Sequence, residues 1–197
     1  MSEITEITSQ KKGDRLNIFL DGEFAFGVEY TTAVKFGLKV GKVLSESDIA
    51  AIDAEEGNTA AFNRGLKYAV KKVVSERQMM DCLVRNGFTA EAAEAAIDKL
   101  KEYGYLGDAQ FARSYIATYA KERGSKRIEF ELKKAGVDSQ IISEALDEID
   151  DSDSCMRCIE KYVRTHRQVD RQKLVNYLVY RGYDWDDIND CISRSEL

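Results

Sequence analysis

Proline is missing from all 197 residues, where ordinary usage of about 5% would place roughly ten. Proline breaks helix interiors and central strands, so its absence permits long uninterrupted helices. Histidine occurs once, at His166. A Ser–His–Asp or Cys–His set would hang on that residue alone, and a polar role near a helix C-terminus is the expected one. No apolar run approaches the roughly 20 residues that cross a bilayer. The opening Met-Ser-Glu-Ile-Thr carries no hydrophobic leader, so no membrane contact and a cytoplasmic location are expected. The phosphate-cradling G-x-x-x-x-G-K-[ST] and the nucleophile elbow G-x-S-x-G are both absent. The acidic run Asp147 to Ser154 lacks the glycine and terminal glutamate of a calcium loop. These absences predict a protein without cofactor, metal or catalytic constellation, and therefore not an enzyme.

Cysteine is present four times, at Cys82, Cys155, Cys158 and Cys191. Without a secretory leader a disulfide framework is not expected. Cys155-Met-Arg-Cys158 spells a redox or zinc half-site, but there is no second C-x-x-C and no strand leading into it. On a helix the same spacing places two small apolar residues on one face, so core packing is the expected role. A thiol or metal enzyme built on the pair is the competing reading.

Net charge is −6, which opposes a protein that simply coats DNA. The average hides a pattern. Residues 62–137 hold 15 Lys/Arg against 10 Asp/Glu, residues 157–181 hold 7 against 2, and residues 1–61 hold 6 against 11. Basic segments thus lie inside an acidic chain, where most single charges belong to solvated helix faces.

The first 30 residues read as strands. Leu16, Ile18 and Leu20 alternate, then Phe24, Phe26 and Val28, with Asp21-Gly22 at the turn between them. Ile4 to Thr8 is a candidate third strand. Thr31 to Gly37 predicts a short helix closed by its glycine, and Ser45 with Asp48 a capping-box start to another. The polar run Asp53 to Thr59 reads as a break, with a boundary near residue 60. Beyond it the apolar period changes from two to about 3.6.

Three segments then align on a glycine: Asp81 to Ile97, Phe130 to Leu146 and Asn176 to Ile192. Gly87, Gly136 and Gly182 are 49 and 46 residues apart. Each is preceded four residues earlier by Leu83, Leu132 or Leu178, and followed at once by Phe88, Val137 or Tyr183. Thr89, Asp138 or Asp184 comes next, and Ile97, Leu146 or Ile192 stands ten residues after the glycine. The pattern predicts a helix stopped by a left-handed glycine, an apolar residue folded back onto it, and a capped second helix. Each unit has a preceding helix, at Phe62–Val74, Ala109–Arg123 and Ser154–Thr165. One unit alone buries its apolar face poorly, so neighbours should stack. The expected fold is mainly α: three tandem three-helix repeats (61–106, 107–151, 152–197) forming an elongated curved array behind a small β-hairpin-containing segment, 1–60.

Within the central unit, Leu106, Asp108, Phe111 and Ala112 are followed by Gly124, Arg127, Ile128, Glu131, Leu132 and Gly136. This resembles the central pattern of the RecX family, regulators of the bacterial RecA recombinase. The first unit departs from it, since Met79-Met80-Asp81-Cys82-Leu83 lacks the Glu-Leu pair. The resemblance implies a non-enzymatic protein that binds the RecA–single-stranded-DNA filament, hinders ATP hydrolysis and strand exchange, and so modulates DNA repair and the SOS response. It is expected to act as a monomer, with weak affinity at most for single-stranded or duplex DNA. Direct nucleic-acid binding by the helical repeats is the alternative. The residues expected to meet the partner are Arg113, Lys121, Arg123, Lys126, Arg127, Lys133 and Lys134 of the central unit. Arg164, Arg167, Arg171, Lys173 and Arg181 of the third join them. Arg127, beside Ile128, has a second expectation, pairing with a nearby acid. Tyr115 and Tyr119 could stack on bases, but their spacing with Phe111 favours core packing.

Overall fold

The computed structural model describes residues 1–10, 13–147 and 149–195. Two compact units are present, Met1–Lys67 with Cys82–Leu100 and Tyr68–Asp81 with Lys101–Leu197.

The first unit opens with three strands, β1 (Ser2–Ser9), β2 (Arg15–Leu20) and β3 (Glu23–Glu29). Helix α1 (Tyr30–Lys35), the two-residue β4 (Val43–Leu44) and α2 (Glu46–Ala69) follow. The antiparallel sheet has the order β3-β2-β1-β4. Asp21 and Gly22 both adopt positive φ, 52° and 91°, as a two-residue hairpin turn requires. The alternation puts Ile4, Ile18 and Val28 on one face, where they are buried with Ala33, Leu44 and Ile52. Ser45 and Asp48 close the capping box reciprocally: the Asp48 amide donates to Ser45 Oγ at 3.1 Å and the Ser45 amide to Asp48 Oδ2 at 2.8 Å.

The polar segment Asp53–Thr59 is not a break. Helix α2 runs straight through it, because two of its carboxylates find partners on other elements. Glu55 pairs with Lys35 at 2.7 Å, and Glu56 with Arg15 at 3.0 Å. The helix ends at Ala69, short of Val74. The Lys71 and Lys72 amides both turn back to the Tyr68 carbonyl, and Ser75 caps the next helix, accepting from the Gln78 amide at 3.1 Å.

Among the described residues eight further helices follow: α3 (Glu76–Arg85), α4 (Ala90–Glu102), α5 (Asp108–Tyr119), α6 (Ser125–Lys134), α7 (Ser139–Leu146), α8 (Asp151–Thr165), α9 (Arg171–Arg181) and α10 (Trp185–Arg194). The glycine turn forms three times with one geometry. Gly87, Gly136 and Gly182 have φ of 88°, 90° and 90°. The amide after each glycine reaches back to the matched leucine carbonyl: Phe88 to Leu83 at 3.3 Å, Val137 to Leu132 at 3.1 Å, Tyr183 to Leu178 at 3.3 Å. This is the 6→1 bond that satisfies an orphan carbonyl at a helix end. Thr89, Asp138 and Asp184 then cap α4, α7 and α10 by accepting the amides of Ala92, Gln140 and Trp185.

The repeats do not depend on a shared apolar face. The central repeat closes its own core around Phe111, Ala112, Ile128, Leu132, Val137 and Ile142. The third does the same around Cys155, Ile159, Leu174, Leu178, Ile188 and their neighbours. Backbone groups take a large part in joining these two. The first amides of α6 have no acceptor inside their own helix. The Ser125 amide donates to Asp151 Oδ2 at 2.8 Å, and the Lys126 amide to the Gly182 carbonyl at 3.2 Å. The Gly124 amide, at the N-cap, donates to the Arg181 carbonyl at 3.0 Å. The same arrangement occurs one joint earlier: the Glu76 amide donates to Asp108 Oδ1 at 2.9 Å and Ser75 Oγ to the Ala135 carbonyl at 2.6 Å. A Cβ on Gly124 would lie 2.4 Å from the Gly182 carbonyl oxygen, and one on Gly182 would lie 2.3 Å from Arg127 Cβ. Gly87, by contrast, faces open space.

Asp151 is buried, and its Oδ1 has no hydrogen-bond partner among the described residues. Burial, with the Asp150 and Asp184 carboxylates nearby, pushes its pKa up despite the Ser125 hydrogen bonds. The group therefore favours the fold most below the ordinary aspartate pKa, and that contribution fades as pH rises through its raised value. Asp151→Asn keeps an acceptor for the Ser125 amide and removes the charge, so urea denaturation at neutral pH should show equal or higher stability and, with the low-pH contribution of Asp151 gone, a steeper loss of stability in acid. Gly87→Ala should cost about 1–2 kcal/mol from its positive φ alone. Gly182→Ala adds the collision with α6 and should cost about 2–4 kcal/mol in the same measurement.

Candidate partner-binding cleft

The backbone joint sets two stripes of side chains side by side. Arg127, Phe130 and Glu131 lie on one face of α6, with Arg123 just ahead of it. Tyr177, Tyr180 and Arg181 lie on one face of α9. Gly182 seats against Arg127, so the stripes meet in a cleft of about 430 Å³ lined by Arg123, Arg127, Glu131, Tyr177, Tyr180, Arg181 and Glu122, with Phe130 beside it against Arg127.

Glu131 organises the α6 side. One carboxylate oxygen accepts from Tyr115 Oη at 2.7 Å and Arg123 Nη1 at 2.5 Å, and the other from Arg127 Nε at 2.8 Å. Burial pushes its pKa up, but the bonds from Tyr115, Arg127 and Arg123 outweigh that and hold it below the usual carboxylate range. Burial and the Glu131 bond push Tyr115 up to about 12. Phe111, Tyr115 and Tyr119 form a ladder with ring centroids 5.8 and 4.5 Å apart, which is the packing role expected for the tyrosines. Arg123 stacks over Tyr119 at 4.0 Å.

Arg127 keeps its terminal nitrogens clear of Glu131 and sits between two exposed rings, 5.9 Å from Phe130 and 5.6 Å from Tyr180. Arg181 donates to the Glu122 carbonyl at 2.7 Å and covers Tyr177 at 4.8 Å. Phe130 is 60% exposed and Tyr180 75%. Exposed arginine–aromatic clusters of this kind are the composition of binding hot spots. A carboxylate engaged by three donors is a poor proton acceptor.

Of the sequence-derived residues, Arg123, Arg127 and Arg181 converge here. Arg127 does pair with an acid, Glu131. Lys126 lies at the joint, 2.7 Å from Asp184, and Lys133 pairs with Glu129 at 2.6 Å. Arg113, Lys121, Lys134, Arg164, Arg167, Arg171 and Lys173 are exposed, line no part of this cleft and make no ion pair among the described residues. Phe130, Tyr177, Tyr180 and Glu131 were not singled out from the sequence as partner-facing residues. Their i, i+3, i+4 spacing with the arginines was the available signal. Cys155 and Cys158 are buried in the third core with Cys191, and burial pushes the Cys155 and Cys191 thiols up, away from the thiolate. His166 caps α8, its Nδ1 2.8 Å from the Tyr162 carbonyl and its ring stacked on Tyr162 at 3.9 Å.

Three stretches match family descriptions in chain order. Residues 2–45 match the regulatory protein RecX N-terminal domain, 108–146 the second three-helix domain of RecX and 149–192 the third. The regulatory protein RecX of Bacillus licheniformis is 32% identical over all of this chain and 78% of its own length. The chain belongs to the RecX family. The RecX of Caldanaerobacter subterraneus is 30% identical over 96% of this chain and 98% of its own. A crystal structure of regulatory protein RecX superposes with a TM-score of 0.81 at 26% identity, covering 96% of this chain and all of that one. RecX from Lactobacillus salivarius shares the fold at 21% identity, with a TM-score of 0.65 over 71% of this chain. The two three-helix domains so matched are those that meet at the cleft. Among the described residues no helix is long and apolar enough to cross a membrane.

Glu131→Gln should release Arg123 and Arg127 and cost about 1–3 kcal/mol in chemical denaturation, since it leaves charged donors without their carboxylate. In an absorbance titration of the tyrosines, the same variant should lower the Tyr115 transition from about 12 towards the ordinary value.

Proposed function

We propose that this RecX-family chain is a cytoplasmic, non-enzymatic regulator that binds the RecA–single-stranded-DNA filament and lowers its ATP hydrolysis, strand exchange and downstream repair and SOS activity. The observation that carries the reading is the cleft between the two matched three-helix domains. It presents guanidinium groups and exposed aromatic rings, and its carboxylate Glu131 is fully engaged by donors. Family membership supports the choice of the filament as partner. Tandem repeats that each close their own core can present successive faces along a polymer of identical subunits. The remaining exposed lysines and arginines add attraction at a distance and set the encounter rate more than the final affinity.

Single-stranded-DNA-dependent ATP hydrolysis by RecA, measured with increasing amounts of the intact protein, should fall. Phe130→Ala and Tyr180→Ala remove exposed rings at little cost to folding. Each should raise the concentration needed for half-inhibition about tenfold, as for a contact worth about 1.4 kcal/mol. No inhibition at several-fold excess over filament subunits overturns the reading. Salt-sensitive binding to naked DNA, with no effect on the filament, would favour direct nucleic-acid binding instead.

A further inference from the structure

A second recognition surface lies in the first unit. Strand β3 is one edge of the sheet, and between it and α2 runs a groove of about 520 Å³. One end of the strand edge is already plugged by side chains. The Glu29 amide donates to Glu56 Oε1 at 2.9 Å, and Arg15 Nη2 donates to the Gly27 carbonyl and to Glu56 Oε2, each at 3.0 Å. Together Arg15 and Glu56 take the place a neighbouring strand's peptide groups would occupy. The edge therefore closes towards Glu29 and opens towards Ala25 and Phe26, which line the groove.

The opposite wall is a stripe of α2. Glu46, Ala50 and Asp53 follow one another at helical spacing, with Ile49 beside them. Glu46 and Asp53 are exposed and have no cationic partner among the described residues. Among the described residues the only cation lining the groove, Arg15, is taken by Glu29 and Glu56. The groove thus offers two uncompensated carboxylates above an apolar floor that includes Phe26, Val28 and Ile49.

We propose that this groove docks an extended, basic segment of a protein partner, pairing beside β3 at Ala25–Phe26 and placing lysine or arginine side chains against Glu46 and Asp53. The charge decides the occupant. Phosphodiesters would be repelled by the same carboxylates, and a second copy of this chain would bring two acidic stripes together. Lysine and arginine suit the floor as well, because their aliphatic stems pack on apolar surface while the charged head reaches the carboxylate. Strand addition at a sheet edge supplies the main-chain component of such recognition. This surface is separate from the arginine–aromatic cleft and does not rest on the reading given to it.

The test uses the full chain and two hexapeptide probes, acetyl-Val-Lys-Val-Arg-Val-Lys-amide and its counterpart with glutamate at the three basic positions, followed by amide chemical shifts. The basic peptide should shift amides of residues 25–28 and 46–56 and bind several-fold more weakly as salt rises from about 50 to about 300 mM. The acidic peptide should leave these amides in place. Glu46→Gln with Asp53→Asn should weaken the basic peptide about tenfold, and Glu46→Lys with Asp53→Lys should reverse the preference, a gain that misfolding could not produce. Equal binding of both peptides, no loss in the neutral double variant, an oligonucleotide shifting the same amides, or concentration-dependent pairing of the chain through β3 each overturns the proposal.

Discussion

The first turn of α6 exposes backbone amides that nothing inside the helix can accept, and the third repeat meets that demand. The Asp151 carboxylate takes the Ser125 amide, and the Gly182 carbonyl takes the Lys126 amide. An unmatched buried amide is costly, whereas a matched one adds modestly, so the arrangement acts chiefly by excluding other placements of the two repeats. It also needs the backbones to touch. Gly124 and Gly182 leave the space for that contact: no Cβ fits at either position without displacing the other chain segment or Arg127. Their requirements differ. Gly182 needs both a left-handed φ and the close approach, while Gly124 has an ordinary φ of −74° and needs only the approach.

From that contact the cleft follows. Arg127 stands at the point where Gly182 seats, so its guanidinium is carried to the neighbouring α9 and comes to lie between Phe130 and Tyr180. Glu131, one turn on, collects Tyr115, Arg123 and Arg127 and fixes the rotamers of all three. Side chains held in place before a partner arrives lose less entropy on binding it, which is how a small cleft can be worth more than its area suggests. The residues of the central motif thus build the fold and the cleft together. Arg127 and Glu131 build the wall of the cleft, and Asp108 accepts the amide that starts α3.

The first unit handles its backbone differently. Its sheet has an edge, and the Arg15–Glu56 pair covers one end of it with side-chain donors and acceptors. Such cover limits uncontrolled strand pairing. The stretch it leaves open is bordered by carboxylates rather than by the arginines and tyrosines found in the repeats.

Local signals in the chain were enough for the turns, the caps and the glycine stops. The Asp21-Gly22 turn, the Ser45–Asp48 box and the three Leu-x-x-x-Gly turns are set by φ preferences and by hydrogen bonds spanning six residues or fewer. The burial of Cys155, Cys158 and Cys191 follows from helical spacing in the same way. Polarity misled at Asp53–Thr59, because the cations that pair with Glu55 and Glu56, Lys35 and Arg15, come from distant sequence. The cleft lay beyond local reach for the same reason. Its two walls are some 50 residues apart in sequence, and which basic residues meet depends on a contact between Gly124 and Gly182 that no local pattern encodes. Charge counting therefore marked twelve lysines and arginines alike, and only the packing of one helix start against one helix end separated Arg123, Arg127 and Arg181 from the rest.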